Sequence, residues 1–138
     1  MFHKDKRRAV TLIELVVVVI IVGILASIAL PTYVRSRERT MDKQAQAILS
    51  LIRSAERAYR LETGLYYPQS TTAVTAIDTI NTNLRLDLVS DNSWTYSITG
   101  ATTGASFTAR LTRNRGGYNR YWEITNTAVS ASCTGTCP

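Results

Sequence analysis

The chain has 138 residues, a formal net charge of +6 and a single histidine, His3. Beyond that residue it lacks the commonest general base and metal ligand, and no nucleophile sits at a recognisable spacing from an activating partner, which argues against an enzyme. Once one long apolar stretch is set aside, the length leaves room for a single domain.

The first nine residues are basic, with Lys4, Lys6, Arg7 and Arg8 against Asp5, so half of the net charge resides there. The next segment, 9–30, is apolar with one charge, Glu14. About 20 residues of helix cross a bilayer. Val16, Val17, Val18 and Val19 are poor helix formers in water, but hydrocarbon leaves the backbone no other way to satisfy its polar groups, so a membrane helix is expected. An ionised carboxylate there costs roughly 2.5 to 3.5 kcal/mol on insertion scales, which marks Glu14 as a functional residue in need of a partner. The bland alternative is a tolerated charge near the end of a signal anchor. Pro31 lacks an amide donor and should kink or weaken the helix before it, and Gly23 is a second soft point. Cations ahead of the span favour keeping that end in the cytoplasm, although Arg35, Arg37, Arg39 and Lys43 beyond it weaken the asymmetry.

After Tyr33 the pattern becomes amphipathic. Met41, Ala45, Ile48, Ile52, Ala55 and Tyr59 recur at steps of three and four, with Arg53, Arg57, Arg60, Glu56 and Glu62 on other faces. Gly64 and Pro68 supply a helix stop and a reversal. A continuous helix over 11–62 would be about 78 Å long, more than a domain of this size can bury, so its first half must meet lipid or other subunits. Residues 65–92 are polar, and Ala73, Val74, Ile77, Ile80 and Leu84 hint at a short second helix. Alternating runs at 94–99, 106–113 and 121–125 read as three antiparallel strands, with Trp94, Tyr96, Ile98, Phe107, Ala109, Leu111, Trp122 and Ile124 as candidates for one face or the other. The fold class is therefore α+β, a long N-terminal helix packed on a small antiparallel sheet. Residues 126–138 have no periodicity and read as a surface loop.

Cys133 and Cys137 lie in that loop. An oxidising compartment would join them, and so small a ring would constrain the unfolded chain by about 2 kcal/mol. Free thiols remain an alternative, while a zinc site would need more ligands than this pair supplies. Asp78, Asp87, Asp91 and Asn92 carry oxygens suited to calcium but lack the tight spacing of a dedicated loop, and Asp91, Asn92 and Ser93 read more simply as a turn. No metal or other cofactor is implied. Arg110, Arg113, Arg115 and Arg120 alternate with Tyr118, Tyr121 and Trp122. Such a pattern is compatible with single-stranded nucleic acid, but the plainer reading is a solvated hairpin or an intersubunit contact.

Arg7, Arg8 and Ala9, followed by Val10, Thr11, Leu12, Ile13 and Glu14 and then by Gly23, Pro31 and Tyr33, resemble the type IV pilin and pseudopilin family. In that family a basic leader ends in a small residue, usually Gly, and the mature chain begins with an apolar residue, usually Phe, then Thr-Leu-Ile-Glu. Ala9 and Val10 take those two places here. The resemblance implies a leader over 1–9 cleaved between Ala9 and Val10, N-methylation of Val10, a membrane and filament-core helix over 10–33, and an exported domain over 34–138 opening on an amphipathic helix over 34–63. It also implies that Glu14 pairs with the terminal ammonium of Val10 in a neighbouring subunit. Opposite charges attract strongly in a low-dielectric setting where each alone is costly.

The expected function is thus that of a structural subunit, held in the bacterial inner membrane and then polymerised through its N-terminal helix. The implied partners are copies of itself, a prepilin peptidase, and an inner-membrane assembly platform with its ATPase. A pseudopilin of a type II secretion system is the runner-up, although residues 65–92 lack the Asp-Pro-Trp-Gly type segment associated with major pseudopilins. The third reading is a soluble binding domain cut after Ala29, since Ser27, Ile28 and Ala29 form a small-x-small pattern; Glu14 inside the apolar region argues against it.

Overall fold

The computed structural model describes residues 10–90 and 92–137. The leader 1–9, with Ala9 of the expected cleavage site, and Asp91 of the expected turn lie outside the described residues. In chain order the elements are α1 (Leu12–Thr63), α2 (Ile77–Leu84), β1 (Thr95–Gly100), β2 (Phe107–Arg115), β3 (Tyr118–Thr125) and β4 (Ser132–Gly135). The chain divides into two compact units, the first ending at Glu38 and the second being Arg39–Pro138, and α1 contributes to both.

In the first unit Thr11 opens α1, its hydroxyl accepting the Glu14 amide at 3.3 Å and its carbonyl the Leu15 amide at 3.2 Å. That satisfies two of the donors a helix start leaves orphaned. Helix runs unbroken through Gly23 and Pro31. Pro31 offers no amide to the Ser27 carbonyl, and the Thr32 hydroxyl donates to the carbonyl of Ile28 at 3.2 Å. The apolar side chains from Val10 to Val34 are exposed along this stretch, which is long and apolar enough to cross a membrane.

In the second unit, the helix stripe buries Ala45, Leu49 and Ile52, with Met41, Ile48, Ala55 and Tyr59 partly buried beside them. Facing them is one antiparallel sheet in the order β1-β2-β3-β4. Because side chains alternate across a strand, the register that places Tyr96 opposite Leu111, and Ile98 opposite Ala109 and then Ile124, gathers these residues on one face, where all are buried. Phe107 and Trp94 join the same core.

Four details differ from the sequence reading. Glu56 lies in the core, not on another face, because it continues the stripe one step beyond Ile52. Strands β2 and β3 extend into the segment expected as a loop, closing on the two-residue turn of Gly116 and Gly117, both at positive φ (64° and 80°), which suits the twist of a tight hairpin. α2 starts at Ile77, because Val74 pairs with Ile98 on the outer edge of β1 instead of joining a helix. Finally, the tail contains a strand, β4, which pairs Ser132 with Glu123 and Gly135 with Arg120 through the backbone ladder alone, so its Ser and Thr side chains carry no apolar signal. Gly100 is also fixed by space: it donates to the Ser70 carbonyl at 2.8 Å, and a Cβ there would overlap the Pro68 carbonyl.

Candidate assembly site and buried charges

Val10 and Glu14 stand at the start of the exposed apolar stretch, and among the described residues no cation of the same chain pairs with the Glu14 carboxylate. Its position in the first helical turn is favourable to the helix dipole. A carboxylate so placed is available to a cation from outside the chain.

The arginines of the β2–β3 hairpin do not form one basic patch. Strand alternation sends Arg110 to the outer face, where its Nε and Nη2 donate to Glu123 at 3.1 and 2.7 Å and its guanidinium lies 4.2 Å from the centre of the Tyr121 ring. Arg113 and Arg120, directly opposite each other across the strands, turn inward and are buried. Arg113 donates to the Ser93 carbonyl at 3.2 Å and approaches the Trp94 ring at 5.7 Å. Arg120 donates through Nε to Asp42 Oδ1 at 2.7 Å, and the same oxygen accepts Trp122 Nε1 at 2.9 Å. Arg115, at the hairpin end, is exposed, as is Arg110 on the outer face. The pair is not visible in the local sequence, because Asp42 is 78 residues away in the chain from Arg120.

Asp42 and Glu56 were both missed as buried groups, although positions 42, 45, 49, 52 and 56 follow the helix-stripe spacing and place them on the core side. Glu56 is fully buried, and its Oε2 accepts the Tyr67 amide at 2.9 Å while Oε1 has no hydrogen-bond partner. Burial pushes its carboxyl up from 4.5 to about 7, the amide bond opposing this in part. Tyr67 is also raised, by burial first and then by the neighbouring Tyr59 and Glu56, so its phenol stays neutral near physiological pH. The Tyr59 and Tyr67 rings meet edge to face at 5.9 Å, which ties the segment after α1 back onto the helix.

In the tail, Cys133 and Cys137 are joined as a disulfide, linking β4 to the C-terminal segment. Among the described residues no three of His, Cys, Asp and Glu cluster in a way that would hold a metal ion.

Residues 4–30 match the family described as the prokaryotic N-terminal methylation motif. The type IV wide pilus major component PilA4 of Thermus thermophilus is 26% identical over 129 residues, covering 93% of this chain and 95% of that protein. The type IV major pilin protein PilA of Myxococcus xanthus is 36% identical over 61 residues, and the type II secretion system core protein G of Escherichia coli is 32% identical over 62. Those two matches cover 44% and 45% of this chain, and 28% and 43% of the respective relatives. No solved structure matches. With the motif at its start, a long apolar helix continued into an antiparallel α+β unit, and matches of both kinds, the chain is similar to type IV pilins and type II secretion pseudopilins.

Proposed function

We propose that this chain is a structural subunit of a type IV pilus-like filament and assembles through α1. The observation that carries the reading is the exposed apolar stretch from Val10 to Val34, interrupted by one carboxylate and lying under the methylation motif. The similarity to a wide-pilus component along nearly the whole chain supports a pilus over a shorter assembly. In this reading a prepilin peptidase cuts between Ala9 and Val10 and methylates the new amino group. The subunit waits in the inner membrane, and a platform with its ATPase adds it to the growing filament. Gly23 and Pro31 provide the points at which the helix adapts to its neighbours. The Glu14 carboxylate pairs with the Val10 ammonium of a subunit already in place, and the high energy of either charge alone in hydrocarbon makes the pairing an insertion signal. The role is structural, with no catalytic step assigned to any residue.

A second reading, a pseudopilin of a secretion system, is favoured by the similarity to core protein G over 62 residues. Electron microscopy of sheared surface filaments with mass spectrometry of their subunits separates the two. Pilus assembly yields surface filaments containing a chain that begins at Val10, whereas a chain confined to the periplasm supports the secretion reading. A terminus at Leu30 would establish a secreted domain instead. Glu14→Gln, as the only copy in the cell, should still insert and be cleaved. The ratio of filament-incorporated to membrane-held subunit should fall by an order of magnitude or more, about 1.4 kcal/mol per tenfold. A parental ratio would end the charge-pairing account.

A further inference from the structure

The Arg39–Pro138 unit has an apolar groove and an apolar knob that its own fold leaves open. The groove, about 290 Å³, lies beside the second half of α1 and is lined by Leu51, Ala55, Ala58 and Leu86 together with the 2.9 Å ion pair of Glu62 and Arg85. The knob is Val129, which is 91% exposed between β3 and β4. Its backbone is held in place: Arg53 Nη1 donates to the Val129 carbonyl at 3.0 Å, the Ala128 amide donates to the Thr125 hydroxyl at 3.2 Å, and Ala128 packs against the core. Val129 is thus an exposed apolar side chain on a fixed loop.

Helix geometry separates the two features. At 100° per residue, Arg53 lies about 140 to 180° around α1 from Leu51, Ala55, Ala58 and Glu62. Knob and groove therefore occupy opposite flanks, and no copy can fill its groove with its own Val129. The charges are complementary as well. Glu62 and Arg85 are already paired at the groove, so the surplus charge beside it is that of the exposed Asp87, next in sequence to the lining residue Leu86. On the knob flank, Arg53 is followed one turn later by the exposed Arg57, and the segment 126–131 carries no carboxylate.

We propose that the groove of one copy receives Val129 of a second copy of this chain, with that copy's Arg57 set against Asp87. The proposal rests on the filament reading and adds to it a contact outside the N-terminal stretch. Because knob and groove are different surfaces, the contact is heterologous and propagates from copy to copy instead of closing into a two-fold dimer. The opposite charges fix the direction in which copies meet.

The test uses the full-length chain in cells, with Ala58→Cys and Val129→Cys made singly and together, and mild oxidation of the isolated filaments. The double variant should give a ladder of covalent oligomers on a non-reducing gel, and each single variant only monomer. Filaments of the double variant that release only monomer would overturn the contact while leaving the filament reading intact. Covalent dimers from Val129→Cys alone would also overturn it, since like would then be meeting like. If the parental chain forms no filaments, both readings fall. Val129→Asp, at an exposed site that folding tolerates, should lower the filament-to-membrane ratio about tenfold, comparable to losing the burial of one valine side chain. An unchanged ratio would count against the contact.

Discussion

Replacing Glu56 by Gln should stabilise the Arg39–Pro138 unit at alkaline pH and leave it nearly unchanged at acid pH. The carboxyl titrates near 4.5 in the unfolded chain and at about 7 in the fold, where burial disfavours the ion. Between those values the folded state holds more protons than the unfolded state, so stability falls as pH rises. The contribution of protonated Glu56 is fully present below pH 4.5 and is lost as pH passes through about 7. At 1.36 kcal/mol per unit, the full loss comes to about 3 kcal/mol. Gln has nearly the same shape and keeps a carbonyl oxygen for the Tyr67 amide, but it cannot ionise. Thermal unfolding of the detergent-solubilised chain and its variant across pH 4 to 8 measures the difference, and other titrating groups cancel in the comparison. Curves that diverge above about pH 5, with the variant the more stable, are the expected outcome. Parallel curves would refute the argument that burial, relieved by only one hydrogen bond, controls this carboxyl.

Asp42→Ala should destabilise the unit by about 3 to 5 kcal/mol in urea unfolding, because it removes the buried carboxylate that accepts both Arg120 Nε and Trp122 Nε1; the double change Asp42→Leu with Arg120→Met should recover much of that loss. A single-variant loss under about 1 kcal/mol would place the pair among weak surface contacts. Cys133→Ser should cost at most about 2 kcal/mol, the loop entropy of so short a ring, and should loosen β4 without unfolding the sheet. The parental chain should be about 2 Da lighter than its reduced form by intact mass, the two hydrogens lost on oxidation. Gly100→Ala should cost about 1 to 3 kcal/mol through its overlap with Pro68, with amide exchange rising first in residues 66–74.

The helix stripe was legible because apolar residues at steps of three and four have few other uses, and the inner face of the sheet was legible from strict alternation in β1 and β2. Glu14 stands out as a candidate on composition, since one charge in an apolar run is visible without any knowledge of the fold. β4 was not legible, because an edge strand held by main-chain bonds needs nothing distinctive from its side chains. Asp42 and Glu56 were obscured by the expectation that a helix keeps its carboxylates in water; only a partner strand far along the chain, or an amide from the following loop, makes their burial tolerable. The hairpin arginines were misgrouped for a related reason. Neighbours in sequence alternate between the two faces of a strand, so a basic run on paper divides between the outer face and the interior.

The 78 residues between Asp42 and Arg120 also bear on the order in which this unit can be completed. A ribosome makes α1 long before β3, so the Asp42 carboxylate must stay hydrated, and the helix stripe uncovered, until nearly the whole chain exists. Contacts so far apart in sequence form late. A chain ending before β3 would carry an uncompensated carboxylate on the surface meant for the core, and could not close. The ion pair therefore closes only in a chain that reaches β3, and a product ending earlier would leave the Asp42 side of α1 open to water.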